Sequence, residues 1–256
     1  MTADIITSRG NHAFKKLLSL HTSRGIKENR MFLASGEKLI HEILAERAES
    51  IVCLIRTPRM SHPPALPAAL ESLTFSNELF NELNVTGAAG PLLAMHRPDL
   101  ENFSANAPWP AGCTLFIPFG DPENVGAVIR SAAGLGASRV VLLKEAACPF
   151  LPRAIRSSAG AVLRVRMEYG PSLDDLSFAR NEIPVFALDM RGKNIAKTAW
   201  PPAFGLVAGM EGGGLPEKIR TECSPISIPL QNNLESLNAA AAVSIALWTW
   251  KGRACS

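Results

Sequence analysis

The sequence predicts an α/β protein: a small N-terminal α/β domain (1–97), a linker (98–111), and a C-terminal domain (112–256) built on a parallel sheet. Three observations predict it. Short apolar runs alternate with helical patterns, and in the second half those runs are nearly continuous, as strands buried on both faces require. Between the halves, PDLENFSANAPWPA interrupts all periodicity with Pro98, Pro108 and Pro110. A length of 256 residues allows two modest domains.

The elements follow in order. Asn11 caps a helix with Phe14, Leu17 and Leu18 on one face and Lys15 and Lys16 on another. MFLAS (31–35) reads as a strand, and Glu37 to Arg47 as a helix with Leu39, Ile40, Ile43 and Leu44 inward. SIVCLIR (50–56) reads as a buried strand. A loop with Pro58, Pro63, Pro64 and Pro67 follows, then a helix around Glu78 to Leu83. LLAMH (92–96) closes the first domain. After the linker, TLFIPF (114–119), RVVLL (139–143), VLRVRM (162–167), PVFALD (184–189), GLVAGM (205–210) and PISIPL (225–230) read as strands, with helices between most of them. A last helix is expected from about Ser236 to Trp250. Its Ala239–Ala242 run favours helix and lets another element approach closely.

Composition narrows the function classes. Apolar residues make up 47% and charged residues 19%, which excludes disordered and fibrous chains. The longest strongly apolar stretch, Ala239 to Trp248, is far short of the roughly 18–20 residues that span a bilayer. MTADIITSRGNH lacks an apolar leader core, so a cytoplasmic location is expected. The five cysteines are widely spaced and form no CxxC, so neither a disulfide scaffold nor a metal site is expected. All five histidines precede residue 97, so the second half works without a histidine base. The net charge of +3 hides a pattern. Residues 1–30 carry Arg9, Lys15, Lys16, Arg24, Lys27 and Arg30 against Asp4 and Glu28. Residues 153–166 carry Arg153, Arg156, Arg164 and Arg166 with no acid. Such segments are either solvated faces or footprints for a polyanion.

Three segments carry candidate chemistry. In DPENVGAVIRSAAGLG, Asp121 or Asn124 can cap a helix. Asn124 and Arg130 differ by about 240° around that helix, so cooperation requires Asn124 in the turn and Arg130 within the helix. In GMEGGGLPEKI, Gly209 and Gly214 have the spacing of a phosphate loop, but Leu215 and Pro216 replace its Lys and Ser/Thr. The segment is not GxGxxG either. What remains is a glycine turn open to close backbone approach, with one carboxylate, Glu211. In ISIPLQNNLESLNAAAA, Ser236 is a plausible N-cap with Asn238 in the first turn, beside a strand end where polar ligands bind in α/β sheets.

In order and spacing, these segments resemble the SpoU/TrmH family of S-adenosylmethionine-dependent RNA ribose 2′-O-methyltransferases, of the SPOUT class. The matching residues are Asn124, Gly126 and Arg130; Gly209, Glu211, Gly214 and Leu215; Ile228, Pro229 and Leu230; and Ser236, Leu237, Asn238 and Ala242. Arg156, Ser158 and Gly160 match a connecting element, and ITSRGNHAFKKLLSL, FLASGEKLIHEIL and PLLAMHRP resemble the family's N-terminal substrate-binding domain. Ala239–Ala241 departs from the Val-Ser of many relatives, and Leu230 replaces the commoner Met. The resemblance implies a C-terminal trefoil knot and a homodimer through the C-terminal domain. It implies a cofactor held by Leu188, Gly209, Gly214, Ile228, Leu230 and Leu237, with no metal. It implies catalysis by Asn124, Arg130, Glu211, Ser236 and Asn238, the last two from the same or the partner subunit. Arg130 is expected to orient the hydroxyl and a neighbouring phosphate, and Glu211 to hold Arg130 or shape the cofactor loop. Ribosomal or transfer RNA is the expected substrate, met by Arg9, Lys15, Lys16, Arg24, Arg153, Arg156 and Ser158. The competing readings are a non-catalytic RNA-binding protein that kept the fold and a methyltransferase acting on a base.

Overall fold

The computed structural model describes residues 4–60, 70–178, 182–210, 214–232 and 234–254. Pro63, Pro64, Pro67 and Glu211 lie outside the described residues. The chain divides into two compact units, Met1–Asp99 with Cys148–Gly160, and Leu100–Ala147 with Ala161–Ser256.

In chain order the first unit contains α1 (His12–Ser19), α2 (Ser23–Asn29), β1 (Met31–Ser35), α3 (Glu37–Glu46), β2 (Ile51–Arg56), β3 (Glu71–Thr74), α4 (Asn77–Leu83) and β4 (Leu92–His96). Asn11 caps α1 as expected: its Oδ1 accepts the N–H of Ala13 at 2.8 Å and of Phe14 at 3.2 Å. Phe14 and Leu17 then point into the core while Lys15 and Lys16 stay in solvent. The sheet runs β1-β4-β2-β3, with β4 antiparallel to both neighbours and β3 parallel to β2.

The second unit opens with β5 (Glu101–Asn102), β6 (Gly112–Ile117), α5 (Pro122–Leu135) and β7 (Arg139–Leu142). The chain then contributes α6 (Pro152–Ser158) to the first unit. It continues in the second with β8 (Met167–Tyr169), β9 (Val185–Asn194), β10 (Ala203–Val207), α7 (Glu217–Glu222), β11 (Ser224–Ser227) and α8 (Ala239–Ala254). All seven strands are parallel, in the order β11-β9-β10-β6-β7-β8-β5. The near-continuous apolar runs of β6, β7 and β10 are buried, as a parallel sheet demands. Among the described residues, no helix is long and apolar enough to cross a membrane.

The structure differs from the sequence reading in four places. Residues 148–160 belong to the first unit, because Phe150 is fully buried against Phe32 of β1, with ring centroids 5.4 Å apart. Residues 98–111 are not free linker. Glu101 and Asn102 pair with β8, and Phe103 and Trp109 pack on the apolar core. VLRVRM is not one strand: Ala161–Leu163 is a 3₁₀ turn, and pairing begins only at Met167, opposite Val140. The last helix starts at Ala239 rather than near Ser236.

A buried cation fixes the 101–111 segment. Arg139, 3% exposed, donates from Nε to Thr114 Oγ1 at 3.1 Å and from Nη1 to Glu168 Oε2 at 3.2 Å. Its guanidinium lies 5.1 Å from the Phe103 ring centroid and 5.3 Å from that of Trp109. Burial pushes its pKa below the usual arginine value, and the Glu168 charge opposes that shift. Arg166 donates to Glu168 at 2.8 Å from the other side and to Glu101 at 3.3 Å. Glu168→Gln is therefore expected to destabilise the intact chain by about 3–5 kcal/mol, the cost of stranding a buried charge. Urea denaturation followed by tryptophan fluorescence measures it. A loss under about 1 kcal/mol would show that the pair does not anchor this region.

Candidate functional site

The parallel sheet sets the place of the site. In open α/β sheets, ligands bind beyond the carboxyl ends of the strands. Here a cavity of about 490 Å³ opens at the ends of β9, β10 and β11 and is closed by the segment leading into α8. That volume lies within the range of small-molecule sites. Leu188, Gly209, Gly214, Ile228, Leu230 and Leu237, expected to hold a cofactor, all line this one cavity. Most of them offer apolar side chains or bare backbone.

Local geometry explains the shape of the wall. β9 pairs with β11 at Ala187↔Pro225 and next at Lys193↔Ile226, so residues 188–192 step out of register. The step is held closed at Gly192, where a Cβ would lie 2.4 Å from the Ile226 backbone nitrogen. Met210 N–H donates to the Gly214 carbonyl at 3.2 Å, and Gly214 sits at φ +67°, where side chains are strained. Gly209 is different. Among the described residues, a Cβ there would meet nothing closer than the Leu188 carbonyl at 3.6 Å, an ordinary contact. Packing among those residues does not demand this glycine, and its bare backbone keeps the cavity wall open.

The residues expected to catalyse are divided. Asp121, not Asn124, caps α5, accepting the Glu123 N–H at 2.9 Å. Asn124 therefore sits in the first turn of the helix rather than in the turn before it. Asn238, not Ser236, caps α8: its Oδ1 accepts the Ala241 N–H at 3.1 Å. Its Nδ2 donates to Asn124 Oδ1 at 3.0 Å, within the same chain. This bond joins the N-terminal ends of α5 and α8, a place that favours negative charge. Ser236 is exposed on the cavity wall. Arg130 is exposed, does not line the cavity, and makes no hydrogen bond or ion pair among the described residues. Glu211 lies outside the described residues. Ala239 and Ala242 face the cavity and Ala240 the core, so the small-residue run is largely occupied within its own unit.

The expected RNA contacts also divide. Arg9 is paired with Glu78 at 3.0 Å and Glu82 at 2.7 Å, and Arg24 with Glu28 at 2.7 Å. The Lys15, Lys16 and Arg156 side chains are exposed and make no ion pair among the described residues. Arg153 is exposed on the same helix as Arg156. Ser158 is a correction: it is fully buried and its hydroxyl donates to the Ile155 carbonyl at 2.9 Å, so it supports α6 instead of facing RNA.

Sequence reasoning missed Asp189, Arg191 and Arg220, which also line the cavity. Asp189 was visible as the lone carboxylate ending the apolar run PVFALD. Its side chain is 11% exposed and bonded to Arg191, which holds the carboxyl below the usual carboxylate range. Among the described residues, no group of three or more His, Cys, Asp or Glu is arranged to hold a metal.

The capping assignment is testable. Asn238→Ala is expected to cost about 1 kcal/mol in urea denaturation. Asn238→Asp keeps the cap but loses the donor to Asn124, and its stability should stay near that of the native chain. Equal stability of the alanine variant and the native chain would reject the cap.

Comparison with known proteins agrees with this geometry. The chain is 40% identical over 246 residues to a Syntrophobacter fumaroxidans protein named ribosomal RNA small subunit methyltransferase G 2. The match covers 96% of this chain but 48% of that protein, so the chain spans about half the length of this relative. It is 26% identical to the Bacillus subtilis 23S rRNA (guanosine(2553)-2′-O)-methyltransferase RlmP, over 96% of this chain and 99% of that protein. Among solved structures, the SpoU methyltransferase AviRb from Streptomyces viridochromogenes, in complex with AdoMet, superposes with a TM-score of 0.81 at 23% identity, covering 96% of this chain and 99% of that one. An AdoMet-bound rRNA methyltransferase from Sinorhizobium meliloti gives 0.81 at 22% identity, covering 99% of each chain. Likeness at such identities establishes the fold. Residues 115–248, more than half of the sequence, match the model of the SpoU rRNA Methylase family, and the chain belongs to that family.

Proposed function

We propose that this chain transfers a methyl group from S-adenosylmethionine to a ribose 2′-hydroxyl of ribosomal or transfer RNA, in the cytoplasm. The observation that carries the reading is that Leu188, Gly209, Gly214, Ile228, Leu230 and Leu237 line one cavity at the strand ends. Its mixture of apolar side chains and bare backbone fits an adenosine-bearing ligand, and Gly209 leaves room where packing among the described residues would tolerate a side chain. The segments around Gly209–Gly214 and Ile228–Asn238 are the ones we expect to form the trefoil knot. When bound, S-adenosylmethionine supplies a methyl group already activated on a sulfonium. The protein then has to position the hydroxyl and exclude competing geometries.

Arg130 is the residue we assign to that hydroxyl. Its planar fork of N–H donors can hold a hydroxyl and a phosphate together. Because Arg130 lies off the wall of its own chain's cavity, we assign it to the cavity of a second copy. A homodimer through the second unit is supported by the exposed apolar side chains Ile245 (38%) and Trp248 (66%) on α8. Asn124, fixed by Asn238, completes the polar surroundings. Arg130→Ala is expected to fold and bind cofactor but to lose on the order of 10²–10³ in single-turnover methylation. Mixing it with inactive Gly209→Val should restore part of the activity, since one site of a mixed dimer keeps both groups. Near-native turnover of Arg130→Ala would remove it from the mechanism.

The first unit is the proposed RNA-binding domain, and Arg153 and Arg156 of α6 join Lys15 and Lys16 of α1 within it. Lys15, Lys16 and Arg156 are ready phosphate contacts. Arg9 and Arg24 must first exchange exposed pairs of little strength. Replacing Lys15 and Lys16 by alanine is expected to lower the salt slope of RNA binding by roughly 0.7–0.9 per lost contact. Arg24→Ala should have the smaller effect. Filter binding across a salt series measures both, and an unchanged slope in the lysine variants would mark α1 as solvated surface only.

A further inference from the structure

We infer that Asp189 recognises the cofactor's ribose, its carboxylate accepting a hydrogen bond from the vicinal hydroxyls of the adenosine moiety. The inference rests on the cofactor reading above. Asp189 lies in the out-of-register step of β9, on the cavity wall, with its side chain 11% exposed. An ionised carboxylate so deep in a largely apolar wall is costly unless its lone pairs are used.

Arg191 uses part of that capacity. Its backbone N–H donates to Asp189 Oδ1 at 2.9 Å and its Nε to the same oxygen at 3.2 Å. Among the described residues Oδ2 receives one long bond, from Nη2 at 3.3 Å. A carboxylate offers about four acceptor positions, so Oδ2 retains room for a ligand donor. The bonds from Arg191 also fix the carboxylate in place, which removes the ordering cost of binding.

Charge decides which donor fits. The Arg191 guanidinium is bonded to Asp189, and the Arg220 charge also acts on it. Arg191 already balances the Asp189 charge, and Arg220 is itself paired with Glu217, so Asp189 carries no unbalanced negative charge to draw an ammonium or sulfonium. A neutral hydroxyl needs no such excess charge and still finds a charged acceptor. An acidic side chain at a strand end bonding ribose hydroxyls is a recurring solution in α/β sheets.

The test is calorimetric titration of the full chain with S-adenosylhomocysteine, its 2′-deoxy and 3′-deoxy forms, and its desamino form. The native chain is expected to lose about 10- to 100-fold in affinity when the recognised hydroxyl is removed. Asp189→Ala should bind the parent ligand more weakly by a similar factor and then be indifferent to that hydroxyl. Asp189→Asn, which keeps one acceptor, should fall between. Thermal melting of the variants checks their folding, and the native chain's own ligand series stands without them. Equal affinity of the native chain for parent and both deoxy forms overturns the inference. So does a variant that keeps full discrimination, or one that loses discrimination of the amine instead. In each of these cases the cofactor reading stands. No binding of S-adenosylhomocysteine by the native chain overturns both.

Discussion

The cavity depends on a break in pairing. In an uninterrupted parallel ladder, β9 and β11 would run side by side and leave no room between their ends. Residues 188–192 leave the ladder, and the two strands rejoin where Gly192 allows the backbones to touch. Leu188 and Asp189 are thereby turned into a cavity that Gly209 and Ile228 close from the neighbouring strand ends. A side chain at Gly192 would collide with backbone, which cannot yield as a flexible side chain can.

A second constraint is the junction of two helix N-termini. Asp121 and Asn238 each satisfy one orphan donor, of α5 and α8 respectively, and the Asn238 amide reaches Asn124. One asparagine thus both starts α8 and orients a residue of α5. Ser131 and Ser244, whose hydroxyls lie 2.7 Å apart, join the same two helices one or two turns further on. The segment that closes the cavity therefore leads into a helix braced against its neighbour, with Ala239 and Ala242 of α8 on the cavity wall.

Much of this was legible in the sequence. Apolar runs such as MFLAS, SIVCLIR and RVVLL are strands because their residue types and burial agree, and the Asn11 cap follows from a local rule. The parts that were not legible depend on distant partners. β5 is only Glu101–Asn102, too short to show a period, and exists because β8 offers an edge. The 98–111 segment is ordered by Arg139, whose burial no local pattern announces. Val162 is apolar because it is buried in a turn, not because it belongs to a strand. Ser236 and Asn238 are both good caps by type, and only the geometry of α8 chooses between them. Ser158 fits its motif, yet its hydroxyl is spent inside the helix. The cavity residues were named through the family resemblance that their motifs carry, whereas Asp189 gains its meaning from the step in β9.

The nucleoside that carries the methyl group after reaction distinguishes transfer to ribose from every other outcome. The full chain is incubated with methyl-labelled S-adenosylmethionine and ribosomal or transfer RNA lacking its native modifications. The RNA is then digested to nucleosides and separated by chromatography with mass detection. Label is expected in a 2′-O-methyl nucleoside, on the sugar fragment. Label on a base, or no label in any RNA although the cofactor binds, would contradict it.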